Sequence, residues 1–187
     1  MWAAMLRLFY ACLLGLVGAC IVHLAILFML PSYSVHDAWS RLSSVADHYE
    51  TVHMGEGSTG RSLPVPENPF IEASACRYNL EDGPLHIRSE GNVPFWSLAI
   101  YDERGLNTFS VSDRVSNGPI LDVAILTPLQ MQRLQGAIPE DLSQALFLET
   151  PEVEGFVLVR AFVPDETWQP TVRTFLNGIR CEPLDNP

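Results

Sequence analysis

The chain has 187 residues, 48% of them apolar, with 11 basic against 22 acidic side chains and a formal net charge of −11. That acidic balance excludes a nucleic-acid binder, which needs a basic face to neutralise phosphates, and the apolar fraction excludes a chain disordered throughout. The length suits one domain with an appendage rather than two domains.

Every basic residue is Arg and none is Lys. No physical role asks for Arg at each cationic position, so this usage reads as codon pressure in a GC-rich, bacterial genome.

Residues Leu8 to Leu30 form an uncharged run of 23, which as a helix spans about 35 Å and so crosses a bilayer. A cleaved signal peptide is the competing reading, but its apolar core is about 7–15 residues and ends in a small-residue cleavage site. The run predicts an uncleaved signal anchor. Arg7 and the terminal amine precede it and the acidic bulk follows, so the positive-inside rule places the amino terminus in the cytoplasm. The expected location is the bacterial inner membrane, crossed once, with residues 31–187 in the periplasm. Three segments follow: a cytoplasmic stub and anchor over 1–30, an amphipathic helix and Gly/Pro-rich connector over 31–70, and a β-rich periplasmic domain over 71–187.

Ala11, Gly15, Ala19 and His23 recur every fourth residue and so stack on one helix face. Small residues at that spacing let helices approach closely, and an intramembrane imidazole points at a partner or a watery gap. The stripe predicts a partner helix. The order Gly15, Ala19, His23, Leu27 also resembles the Ala-xxx-Ala-xxx-His-xxx-Leu pattern of bacterial light-harvesting polypeptides, which implies a tetrapyrrole, bacteriochlorophyll or haem, on His23. The plainer reading is an imidazole that hydrogen-bonds a carbonyl or a neighbouring helix, with no cofactor. Cys12 and Cys20 read as packing residues.

Ser34 to His48 places Val35, Ala38, Trp39, Leu42, Val45 and Ala46 at helical spacing, with Ser34 as N-cap and Asp37 in the first turn. Residues 50–70 carry three Gly and three Pro and read as a connector. Within them Gly55 to Gly60 spells a dinucleotide fingerprint, but no apolar strand precedes it and Pro64 and Pro66 follow, so the motif lacks its context. His36, His48 and His53 read as solvated surface groups, with metal binding as the alternative.

From Ala73 the period becomes that of strands, over Ala75–Leu80, Pro84–Arg88, Pro94–Tyr101, Asn107–Ser112, Ile120–Leu126, Ala145–Thr150 and Gly155–Val163. Turn residues at Glu81–Pro84, Asp102–Gly105 and Ser116–Pro119 predict antiparallel hairpins. The strands around Trp96 and Val159 are apolar on both faces and are expected to be central and covered twice. Helices are predicted from Thr127 to Gly136, with Thr127 as cap and Gln130 reaching back, and over Glu166–Asn177, with Gly178 as the stop. The fold class is α+β: one transmembrane helix, then a mainly antiparallel β-sandwich-like domain with two or three peripheral helices.

Cys76 and Cys181 are the thiols outside the apolar run, and in an oxidising compartment they are expected to pair. Two Cys make no metal site, since structural zinc takes four ligands.

Asn79 to Ile87, Pro94 to Asp102 and Asn107 to Arg114 resemble the core of the domain of unknown function 1254 family. The chain is similar to its short, single-span alphaproteobacterial members over the stretch from the His23–Trp39 junction to Cys181. Tyr101-Asp102 and Ser112-Asp113-Arg114 are the most specific parts. The resemblance implies a membrane-anchored envelope protein with a second single-span companion of the related family 1214, and no established chemistry.

The candidate polar cluster is Arg77, Tyr101, Asp102, Asp113, Arg114 and Arg160, with Arg77–Asp102 and Asp113–Arg160 as expected structural pairs. A hydrolytic triad of Ser110, His86 and Asp113 can be arranged on paper, although no spacing demands it. The first reading is a non-catalytic interaction subunit. A cofactor-bearing subunit using His23 and a periplasmic hydrolase are the alternatives.

Overall fold

The structure is a computed structural model. It describes residues 2–54, 62–63, 68–116, 120–134, 136, 138–139 and 142–184, and the backbone alone at 30–38 and 62–63. It forms two compact units, Met1–Asp37 and Ala38–Pro187.

The first unit is helical. Helix α1 spans Trp2–Val45, and its Trp2–Met29 stretch, with a mean hydropathy of 2.5, is long and apolar enough to cross a membrane. Every side chain from Trp2 to Met29 is exposed, so this apolar surface has no cover from the unit itself. A separate helix starting at Ser34 is not found, because α1 continues through Pro31. Proline deletes one intrahelical bond and bends a helix without having to end it.

The second unit is a sandwich of two sheets. Its strands among the described residues are β1 (Thr51–Met54), β2 (Ser62–Leu63), β3 (Ile71–Asn79), β4 (Leu85–Ser89), β5 (Trp96–Asp102), β6 (Asn107–Ser112), β7 (Leu121–Leu126), β8 (Leu146–Glu149), β9 (Glu154–Phe162) and β10 (Arg180–Pro183). The larger sheet runs β2-β1-β3-β9-β5-β6 and the smaller β10-β4-β7-β8. Pairing is antiparallel except for β1–β2 and β7–β8.

The core lies between the sheets, because alternation aims one face of each strand inward. Trp96, Leu98 and Ile100 of β5 and Val157, Val159 and Ala161 of β9 meet Leu85, Ile87, Val123 and Ile125 there. Each large side chain removed from water in this way contributes about 1.5–3 kcal/mol. Helix α3 (Gln169–Asn177) adds Val172, Phe175 and Leu176 to the same core. The second face of β9 is covered as expected at Phe156 and Leu158, which pack under Leu42, near the end of α1, and Ala46, just beyond it. Phe162, at the strand's end, stays 40% exposed.

Helix α2 (Pro128–Leu134) starts in the reciprocal cap that its sequence foretold. The Gln130 side chain accepts from the Thr127 backbone N–H at 2.9 Å, and the Thr127 hydroxyl accepts from the Gln130 N–H at 3.3 Å.

Three expectations need correction. The connector over 50–70 contains two strands: β1 pairs with β3 from Thr51↔Cys76 to Met54↔Ala73, and the two-residue β2 pairs with β1. Only Val52 of β1 is buried, so four residues with one apolar anchor carry too little alternation to be read as a strand. The glycine fingerprint at Gly55–Gly60 lies outside the described residues.

Of the three turns, Asp102–Gly105 makes a hairpin, joining β5 to β6. Glu81–Pro84 leads from β3 in one sheet to β4 in the other, and the segment with Ser116 leads from β6 to β7. Turn chemistry reverses the chain but does not say which sheet receives the next strand. Finally, Arg180–Pro183 was missed as a strand. It pairs with β4 although Arg180, Glu182 and Pro183 disguise it. Through this strand the disulfide Cys76–Cys181, with Cα atoms 6.7 Å apart, ties the two sheets together.

Candidate functional site

The polar residues singled out by sequence do not form one cluster. Arg77 lies on β3 opposite Phe156 and serves the end of α1. Its Nη1 donates to the Ala46 carbonyl at 3.1 Å, and its guanidinium lies over the Trp39 ring at 4.6 Å. Its Nη2 also sits 3.4 Å from Glu154 Oε1 and 3.4 Å from His48 Nε2. A cation on the last carbonyls of a helix satisfies an acceptor and suits the dipole, so Arg77 fastens the stretch from Trp39 to Ala46 to the larger sheet within the second unit. The expected Arg77–Asp102 pair is absent, because the strand register puts Glu154 within Arg77's reach and Asp102 at the hairpin turn.

Asp102 is buried and organises that turn. It accepts from the backbone N–H groups of Arg104 at 3.0 Å and Leu106 at 2.7 Å, and pairs with the Arg104 guanidinium at 3.0 Å. The turn opens a cleft of ≈ 550 Å³ lined by Glu81, Asp102, Glu103, Arg104, Glu152 and Glu154, among others. A hydrogen bond with Glu154 raises the pKa of Glu103 above its ordinary carboxylate value, and partial burial and neighbouring carboxylates add to the rise. The cleft is therefore crowded with negative charge.

Arg160 does not meet Asp113. Its Nη2 donates to the Tyr101 hydroxyl at 3.1 Å, and the Tyr101 ring stacks on Phe156 with centroids 4.9 Å apart. Asp113 and exposed Arg114 form a short turn after β6, and Asp113 Oδ1 is buried with no hydrogen-bond partner among the described residues.

The paper triad is not assembled either. His86 Nε2 is 2.8 Å from Asp122 Oδ1, and the Ser110 hydroxyl exchanges bonds with the Asn107 amide at 2.8 and 3.1 Å. His48 is taken up by Glu154 at 3.1 Å, and His53 Nδ1 lies 3.2 Å from the Ser74 hydroxyl. The side chain of His36 lies outside the described residues. On α1, Ala11, Gly15, Ala19 and His23 are exposed, and nothing lies within 4 Å of a Cβ placed on Gly15.

What sequence reasoning passed over is the flank where β6 ends one sheet and β8 ends the other. Between them runs a groove of ≈ 550 Å³ lined by Phe109, Val111, Val115, Leu146 and Leu148 with Ser97, Ser110 and Ser112. Phe109 is 43% and Val115 59% exposed. The signal was present: Asn107–Ser112 contains no charge and no proline, whereas edge strands usually carry one or the other.

A family profile described as "Protein of unknown function (DUF1254)" matches residues 50–183. The chain belongs to this family. No curated protein matches it. Among solved structures, the VPA0106 protein from Vibrio parahaemolyticus is similar, with a TM-score of 0.56 at 12% identity over 82% of this chain and 36% of that one. An uncharacterised protein from Burkholderia cenocepacia gives a TM-score of 0.49 at 13% identity over 88% of this chain and 43% of that one. This DUF1254 chain thus spans less than half the length of the solved proteins it resembles, and the first likeness supports the sandwich as a fold.

Proposed function

We propose that this DUF1254 protein is a membrane-anchored periplasmic interaction subunit, a non-catalytic scaffold of an envelope complex. The observation that carries the reading is the uncovered apolar flank between β6 and β8, because a contiguous exposed apolar surface marks an interaction site. The remaining features accord with it. The Trp2–Met29 helix supplies the anchor, and Arg7 on its short leading segment orients the amino terminus to the cytoplasm. The disulfide suits an oxidising compartment. In the membrane, the stripe of Ala11, Gly15, Ala19 and His23 provides a face for a partner helix, and a second single-span protein, a companion of the related family 1214, fits both surfaces.

The test is purification of the full chain from native membranes in mild detergent, followed by mass spectrometry and an absorbance spectrum. The reading requires a colourless complex that retains a second single-span protein, and a loss of that protein in Gly15→Leu. An isolated monomer overturns it, as does a stoichiometric chromophore lost in His23→Leu.

A further inference from the structure

Of the sheet edges in the second unit, three are protected in the ways edges usually are. β2 has two residues, β8 has four, and β10 carries Arg180, Glu182 and Pro183. β6 is different. It has six residues, Asn107–Ser112, is exposed over its first four, and among the described residues pairs only with β5, with one register irregularity near its start. No charge and no proline blunts it, so among the described residues it presents a row of backbone donors and acceptors with no strand partner. Phe109, Val111 and Val115 line the groove beside this row, which gives alternate side chains of an added strand an apolar bed.

Charge says what kind of strand fits. The turn that feeds β6 carries Asp102 and Glu103 into the acidic cleft, where Glu81, Glu152 and Glu154 join them, so that five carboxylates face Arg104 in the lining and Arg77, which reaches Glu154 from β3. At the far end of β6, Asp113 Oδ1 is buried without a donor among the described residues. An incoming strand with a basic residue at its end over the cleft answers that charge. A second copy of this chain does not, since it brings a net charge of −11 of its own.

We propose that β6 is a strand-addition site, which takes an extended segment of a different polypeptide with alternating apolar residues and basic flanks, and thereby extends the larger sheet. This rests on the interaction-subunit reading and deepens it by naming the docking edge and the chemistry of the docked segment.

The experiment uses the full chain in detergent and two synthetic peptides of one alternating Val/Thr core, one flanked by Lys and one by Glu. Amide hydrogen exchange across 107–112 and fluorescence anisotropy are the readouts. The Lys-flanked peptide is expected to protect the β6 amides, to bind more weakly as salt rises, and to lose about tenfold in affinity in Phe109→Lys/Val115→Lys. Val115→Lys alone replaces the double variant if the latter does not fold. Absence of protection by the Lys-flanked peptide, or equal binding of the Glu-flanked one, overturns the proposal. So does a salt-stable dimer whose β6 is protected without peptide, which would make the occupant a second copy.

The native companion separates the two readings. A companion that stays bound to the Phe109→Lys/Val115→Lys chain overturns the edge and leaves the interaction subunit standing. A chain that has no companion in native membranes overturns the interaction subunit itself.

Discussion

The two flanks of the sandwich are made from the same pair of sheets and finished in opposite ways. On the β3/β10 flank, the Cys76–Cys181 bridge joins the sheets, and beside it Arg77 holds the end of α1 through Ala46 and Trp39 while pairing with Glu154 of β9. On the β6/β8 flank an uncharged edge strand borders an open apolar groove. The closed flank concentrates interactions that stabilise the domain. The open one leaves unsatisfied backbone groups and apolar surface, which serve association and do little for the isolated chain.

That contrast can be tested by its energetics. Replacing both Cys76 and Cys181 by Ala removes a cross-link over 105 residues and is expected to cost about 4 kcal/mol, read from denaturant unfolding of the full chain in detergent. A reductant should reproduce the loss in the native protein and have no effect on the double variant.

Gly155→Ala comes next. A Cβ there would overlap the Tyr101 carbonyl oxygen and come within 2.7 Å of the Tyr78 hydroxyl, on a strand paired on both sides, with Tyr78 of β3 and Asp102 of β5. A loss of about 3 kcal/mol is expected from such overpacking, measured by thermal unfolding.

Arg77→Ala removes the bond to the Ala46 carbonyl and the contact with Trp39, and should cost about 2 kcal/mol. The loss should appear first as faster amide exchange at 42–48, ahead of the rest of the domain. On the open flank, Val115→Lys should change stability by less than about 0.5 kcal/mol, because its side chain is 59% exposed. An equal loss at Arg77 and Val115 would erase the distinction between the flanks.

The smallest effect concerns pH. Burial lowers the pKa of His53 below 6.5, opposed by Glu72 and assisted by Arg173. The unfolded chain therefore takes up a proton before the folded one does, and stability falls as pH drops from 6.5 toward the lowered value. His53→Gln should flatten that part of the pH–stability curve while leaving the pH-independent plateau above it in place.

Much of the fold was legible along the chain because it rests on local chemistry. The 23-residue uncharged run has the length and composition of a spanning helix, β6 was bounded to the residue by polar turns, and the Thr127/Gln130 cap needs just four consecutive residues. β1 and β10 were not legible, since each takes its stability from a neighbouring strand and carries little alternation of its own. The functional surface suffered from a different bias. The charged residues Arg77, Asp102 and Arg160 stand out in the sequence, yet each is engaged within the fold, at Ala46, at the Leu106 N–H and at the Tyr101 hydroxyl. Asn107–Ser112 looked bland because the absence of charge on an edge strand means something only once the strand is known to be an edge.

Composition, periodicity and capping were thus enough for the long apolar helix, the strand-rich domain and the cysteine pair, as these depend on properties of neighbouring residues or on simple counting. Which strands ended the sheets, which carboxylate met Arg77 and where apolar surface stayed uncovered were settled by register and by the stacking of one sheet on the other. Those are long-range relations: Cys76 meets Cys181 across 105 residues and Arg77 meets Glu154 across 77. A linear chain holds no record of such distances until its apolar faces have been driven together and the strands have chosen their partners.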